Sequence, residues 1–278
     1  MTTVGRVLAL AVALVVVAPR GGMALDAACG LTVPPGMTAV LQGDLTCPSD
    51  PVAITLDRAS TLDLNGYTLR ATADGAAGVV CVDRACSVIS SVAAPGVISG
   101  ESTAEDGISI REDFAPLTSM VVDNVTVRDF KEIGIYATGL GTTTLSNVSV
   151  SGCGYEGING GDHGRLTVNG VMVNDNADGI VGPHVVKGVG LTLNANSGTA
   201  LWHVKRVTVT DLTASGNGIA GIEVESLVRL RDSALSGNGQ ADIVSARRPR
   251  LTNTTCERSA HGLDQFGRVG PWGVCALD

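Results

Sequence analysis

Asp162, His163, His184 and Lys205 are the residues of this chain best suited to acid–base chemistry. One carboxylate, two imidazoles and one primary amine can together move a proton and balance the charge that this creates. Arg165 and Lys187 stand close to them in the sequence and add fixed positive charge. Removing the proton beside a sugar carboxylate, as in uronate elimination or C5 epimerisation, needs such a set. A cation neutralises the carboxylate and a base takes the proton. A second set is acidic. Glu156 and Asp178, held about 5 Å apart, would have the spacing of a retaining glycosidase pair. Like charges so close would also raise one pKa or recruit a cation. Solvated turn acids leave the same trace in a sequence. Trp202 offers a flat apolar surface on which a sugar face can stack, or an edge ring that lies on its neighbours.

These residues are far apart along the chain, so a repeat must bring them together. Ile108, Ile135, Ile158, Ile180, Leu201, Ile222 and Ile243 each follow a small or turn residue, at spacings of 27, 23, 22, 21, 21 and 21. Before these anchors lie alternating segments such as NVTV (124–127), NVSV (147–150) and GLTL (190–193). After them come RLTV (165–168), KRVTV (205–209) and LVRL (227–230). Such alternation marks strands with one buried face. Three short strands in about 21–23 residues leave no room for a hairpin meander with loops. They suit one triangular coil of a parallel β-helix, stacked on the next at about 4.8 Å. A lone coil buries too few aliphatic side chains to offset the entropy of ordering it, whereas a stack closes a continuous core.

Asparagines mark the same period. Cys153, Asn176, Asn196, Asn217 and Asn238 fall at one turn of successive coils, where stacked amides can form a hydrogen-bonded ladder. The triplets NVT, NVS and NTT at 124, 147 and 253 are read as turn residues rather than glycan sites.

Residues at equal offset from the anchors become vertical columns. Offset +4 holds Asp162, His184 and Lys205, with His163 and Arg165 beside them. The expected catalytic group is Asp162, His163, His184 and Lys205, and the expected substrate contacts are Trp202, Arg165, Glu156 and Asp178. His203 falls at an inward offset and is read as a core histidine. Offset +1, from Ser109 through Trp202 to Val244, should face outward.

Composition narrows the function. The 278 residues are 44% hydrophobic, 17% charged and 3% aromatic, with a net charge of −8. That supports one sizeable core and disfavours nucleic-acid binding. Residues 1–24 read as a secretory leader: MTTVGR, an apolar run at 7–18, then PRGGMA, with cleavage after Ala24, Ala18 being the alternative. No later segment should span a membrane. Seven cysteines suit an oxidising compartment, with local pairs Cys29–Cys47, Cys81–Cys86 and Cys256–Cys275 expected. Cys153 is left as a buried thiol. No metal-ligand spacing is present and no cofactor is evident. The acidic group Glu101, Glu105, Asp106, Glu112 and Asp113 has the chemistry to hold Ca2+, or forms a solvated loop.

The run ITLDRASTLDLNGYTL (54–69), after Cys29–Gly30 and LQGDLTC (41–47), resembles the opening coils of secreted right-handed parallel β-helix proteins. The later coils resemble the short repeats of the pectate-lyase-like superfamily. The resemblance implies a single-stranded right-handed parallel β-helix. It leaves activity open, since such repeats occur in lyases, hydrolases, epimerases and proteins without known chemistry. GGDHG (160–164) only partly matches the Gly-His-Gly of polygalacturonases, and the accompanying Asn-Thr-Asp and Arg-Ile-Lys signatures are absent. No catalytic residue is therefore carried over. The expected organisation is a signal peptide (1–24), a disulfide-stapled cap (25–53), β-helix coils (54–252) and a disulfide-closed cap (253–278). Two functions stay open. One is an extracellular or envelope β-helix that binds a polysaccharide or serves as a spacer. The other is a polysaccharide-active enzyme, a uronate lyase, C5-epimerase or glycoside hydrolase, working on the outer face of the helix.

Overall fold

The alternating segments become strands that never pair within their own coil. A computed structural model describes residues 24–83, 85–110, 119–138, 141–261 and 270–278. The expected leader, except Ala24, lies outside these residues, as do Glu112, Asp113 and part of the closing segment. The described residues contain no helix. Their strands form a right-handed parallel β-solenoid. The anchor column is continuous: Ile108, Ile135, Ile158, Ile180, Leu201, Ile222 and Ile243 are successive register partners. It extends back through Val79 and Ile54 to Leu31, and on to Ser259. Strands from both expected caps thus join the stack.

Each rung carries three strand stretches. The anchor sheet comes first, with strands such as Glu156–Asn159 and Asp178–Val181. A second sheet starts a few residues later, with Thr38–Val40, Ser60–Asp63, Ala85–Ile89, Ser119–Asp123 and Thr142–Ser146. A third follows, with Gly96–Ser99, Val125–Arg128 and Ser149–Ser151. Later in the chain the corners tighten, so that Arg165–Asn174, Val185–Asn194 and Leu201–Ser215 run through them without a break. The inward residues of all three sheets make one aliphatic core, with Phe130 its largest side chain. Small residues precede the anchors for a steric reason. A Cβ at Gly134 would lie 2.4 Å from Val150 and 2.6 Å from the Gly157 carbonyl oxygen on the next rung.

The corner between the second and third sheets needs a left-handed residue on nearly every rung. Asn65, Asn124, Asn147, Asp211, Asp232 and Asn253 fill it with φ of 46–59°. Asn and Asp tolerate this conformation best among residues with a Cβ. The three triplet asparagines are among them, which accounts for their placement at turns.

The asparagine ladder forms at the next corner. Asn176, Asn196 and Asn217 each donate both their backbone N–H and their Nδ2 to the Oδ1 of the next asparagine, at 2.8–3.3 Å. The ladder starts at the Cys153 N–H, which donates to Asn176 Oδ1. It ends where Asn238 Nδ2 donates to Asp242 Oδ1 at 2.7 Å. All four asparagines are buried, and each Nδ2 also donates to a backbone carbonyl.

Cys29–Cys47, Cys81–Cys86 and Cys256–Cys275 are disulfides, and Cys153 is a buried free thiol. Burial pushes the Cys153 thiol up to about 12, which leaves it unreactive at neutral pH. The outward column departs from expectation at Ser109, Val181 and Val244, which are buried. At Val244 the cause is visible. The closing segment folds back on the last rungs, where Trp272 Nε1 donates to the Ser245 carbonyl. Val244 packs there in a small cluster with Ala220, Ala241 and Ala260.

Candidate functional site

Where the anchor sheet turns into the second sheet, four successive rungs bring polar side chains to one hollow of about 340 Å³. Asp162 and His163 come from the turn before Arg165–Asn174, and both are exposed. His184 stands immediately before Val185–Asn194 and is half-buried. His203 and Lys205 lie in Leu201–Ser215, and Glu225 in Ala220–Arg231. The four expected catalytic residues therefore share a surface. Their convergence follows from the rung spacing, because Val185 and Arg206 are register partners.

His203 corrects the sequence reading. It is exposed and lines the hollow, where an inward core histidine was expected. The register slips between Leu201 and Val204, and again between Val204 and Arg206. His203 takes a left-handed φ of 53° in this bulge. An extra residue reverses the alternation, so Val204 takes the inward position and His203 turns out. Its ring meets that of Trp202 edge to face, with centroids 4.4 Å apart.

Partial burial holds the His184 imidazole below the usual histidine range, and the positive charges of Lys205 and Arg206, with His163 and Arg165, act the same way. A neutral imidazole can accept a proton or meet an anion together with one.

The other expected contacts lie elsewhere. Trp202 is half-buried, does not line the hollow and touches it through His203. Arg165 is exposed on the same rung as Asp162 and His163, also outside the lining. Glu156 and Asp178 are register partners at the start of the anchor sheet, before the strand that leads to the hollow. Both are engaged in local bonds. Glu156 Oε2 accepts from Asn159 Nδ2 at 2.6 Å, and Asp178 Oδ1 accepts from the Thr199 N–H at 2.7 Å. Burial raises the Glu156 carboxyl above its ordinary pKa, opposed by the Asn159 bond, while the Asp178 charge adds to the rise. In the expected calcium group, Glu101 lies 3.7 Å from Arg70, and Asp106 accepts from the Ile133 N–H. The sulfurs of Cys29 and Cys47 lie near Asp50, but their disulfide leaves no thiolate for a metal.

The family described as the right-handed beta helix region matches residues 106–267. The chain belongs to the right-handed β-helix family. No curated protein matches this chain by sequence. Among solved structures it is similar to pectate lyase Pel9A, with 17% identity and a TM-score of 0.44 over 77% of this chain and 61% of that one. It is also similar to the A-module of mannuronan C-5 epimerase AlgE4 of Azotobacter vinelandii (11%, TM-score 0.47, over 85% and 66%). A third is tailspike protein 2 of the Escherichia coli O157:H7 bacteriophage CAB120 (13%, TM-score 0.42, over 83% and 36%). The chain spans less than two thirds of each of these proteins, and the likeness is one of fold.

Further along the same strands the second sheet carries a basic outer face, of which the sequence reading named only Lys187. Lys187, Thr208, Arg229 and Arg250 are successive register partners on the second sheet, all exposed. Beside them run Thr210, Arg231 and Thr252. Thr208, Thr210, Arg229, Arg231, Arg250 and Thr252 line a shallow trough of about 400 Å³. The signal was available, because 187, 208, 229 and 250 are 21 apart. No helix among the described residues is long and apolar enough to cross a membrane.

Proposed function

We propose that this β-helix is an exported protein that binds an anionic polysaccharide across the second sheet, with the histidine hollow at one edge of its site. One observation carries the reading. Among the described residues, Arg165, Lys187, Lys205, Arg206, Arg229, Arg231 and Arg250 make no ion pair. In the first half of the chain, Arg58, Arg70, Arg128 and Lys131 all do. Unpaired cations at each rung spacing, about 4.8 Å, suit a polymer whose own charges recur. Threonine hydroxyls between them can bond to sugar hydroxyls. Export is supported by three disulfides and the leader-like start of the sequence.

The test is binding of polygalacturonate and of uncharged dextran to the native chain and to R229A/R231A/R250A. The expected result is binding of polygalacturonate alone, weakened about tenfold by the three substitutions and unaltered by R58A. Equal affinity of the triple variant would overturn the reading.

A second reading is favoured by the low His184 pKa beside Lys205 and Arg206. A neutral imidazole there could take the C5 proton of a uronate whose carboxylate meets the cations; the C5–H electrons form a C4–C5 double bond as the C4–O bond breaks, and the leaving oxygen takes a proton from water. Its sign would be ultraviolet absorbance of unsaturated ends. That absorbance should disappear when Asp162, His163, His184 and Lys205 are all changed to Ala.

A further inference from the structure

Three of the four histidines in the chain share one small hollow, and the mechanics of the fold do not require it. His163 lies on a turn, His184 at a strand start and His203 in a bulge. Among the described residues none of their rings makes a hydrogen bond or an ion pair; the ring of His203 meets only Trp202. Each therefore lacks a fixed internal partner. Glu223 lies opposite the bulge that carries His203. Lys205, Arg206 and Arg165 are cations, and Asp162 and Glu225 are the two carboxylates of the lining. Neither carboxylate is within ion-pair distance of an imidazole among the described residues. Adding protons to the rings would place further positive charge beside cations that are already unpaired. At His184 burial, and after it these cations, hold the imidazole below its usual range in the free protein. An anionic chain lying in the hollow reverses the balance, because each imidazolium then gains a counter-charge.

We propose that the hollow makes polyanion capture proton-linked: His163, His184 and His203 take up protons from solvent as a polyanion settles on them, so that affinity rises as the surroundings turn acid. The proposal rests on the reading that the second sheet binds an anionic glycan, and it names how that site is regulated. Only protons move, from water to imidazole nitrogens, and no covalent bond in the glycan changes. Binding and protonation are then reciprocal, so the same coupling appears as proton uptake during titration.

The experiment uses dextran sulfate as the probe, since its sulfates do not titrate in this range, and neutral dextran as the control. Affinity is measured at constant ionic strength from about pH 7.5 to about pH 5.5, the range around the ordinary histidine pKa. The native chain is expected to bind about tenfold more tightly at the acid end. The H163Q/H184Q/H203N variant should show a flat profile. Asparagine is chosen at 203 because it tolerates the left-handed backbone. Circular dichroism and the unfolding midpoint report whether the variant keeps its fold, and H163Q/H184Q, which spares the bulge, should lose most of the slope. A flat profile in the native chain would overturn the proposal while leaving polyanion binding intact. So would an equal slope in the variants. Absence of dextran sulfate binding at every pH would overturn the underlying reading and the proposal with it.

Discussion

From Leu31 to Ile135 the anchor column advances by 23, 25, 29 and 27 residues per rung, and from Ile158 to Ile243 by 22, 21, 21 and 21. The cross-section is similar, yet the two halves are held differently. The irregular half carries Cys29–Cys47 and Cys81–Cys86, and its cations pair with acids, as Arg58 does with Asp83 and Arg70 with Asp44. The regular half carries the asparagine ladder and one disulfide at its closing end, Cys256–Cys275, and among the described residues its cations make no ion pair. Residues 24–160 contain 16 acidic and 6 basic residues, against 11 and 11 in 161–278. Identical side chains can bond from rung to rung only when the rungs are equal in length. Unequal rungs need cross-links. The same regularity that permits the ladder repeats a surface residue at fixed intervals, which suits a polymeric ligand.

Four predictions sharpen or break this contrast. The largest effect should come from Asn217→Leu. It removes the acceptor of the Asn196 N–H and Nδ2 and the Nδ2 donor to Asn238 Oδ1, all buried, while the backbone N–H of residue 217 remains. A loss of about 3–5 kcal/mol is expected, read as a lower urea midpoint. A loss below about 1 kcal/mol would mean that the regular half does not depend on its ladder. Next is the Cys29→Ser/Cys47→Ser pair, which opens a cross-link spanning 18 residues and should cost about 3 kcal/mol. The shorter Cys81–Cys86 link, spanning 5, should cost about 2 kcal/mol.

Asp106 tests the electrostatics of the irregular half. Burial raises its carboxyl to about 6, with the charges of Glu132 and Glu105 adding and the Ile133 N–H bond opposing. The unfolded carboxyl titrates near about 4. Between these values the folded state holds a proton that the unfolded state has lost, so stability falls as pH rises through that window. Asp106→Asn should therefore stabilise the protein by about 1–2 kcal/mol at about pH 7.5 and give no gain near pH ~4. A gain equal at both pH values would point to packing, not charge. The smallest effect concerns Cys153, at the foot of the ladder. Its thiol should stay unmodified by iodoacetamide in the folded chain and react only on unfolding, as followed by mass spectrometry.

Much of the fold was legible in the sequence because the chain repeats. The anchors, the ladder and the three disulfides are local or periodic features, and each has the partner that its spacing implies. The candidate site was legible in part. Asp162, His163, His184 and Lys205 share a hollow because offset becomes proximity when rungs are equal. His203 was misread because a bulge breaks the alternation on which inside and outside depend. Glu225 was missed for the same reason, since its rung is one residue shorter between the paired positions: Leu201 to Val204 faces Ile222 to Val224. Lys187 was read only as a cation beside the histidines, and Arg229 and Arg250, which carry the same 21-residue signal, were not read as its column.

The amino-acid order by itself determined that this protein would be a stack of parallel rungs, because periodic aliphatics with alternating neighbours can bury one face only by lying on copies of themselves. It also determined which columns would stand above one another wherever the period held. Only the tertiary structure decided which way His203 points, which acids are absorbed by local bonds and which cations are left without partners. Those outcomes depend on a one-residue slip and on distances of a few ångströms between side chains, and neither is written in the period of a repeat.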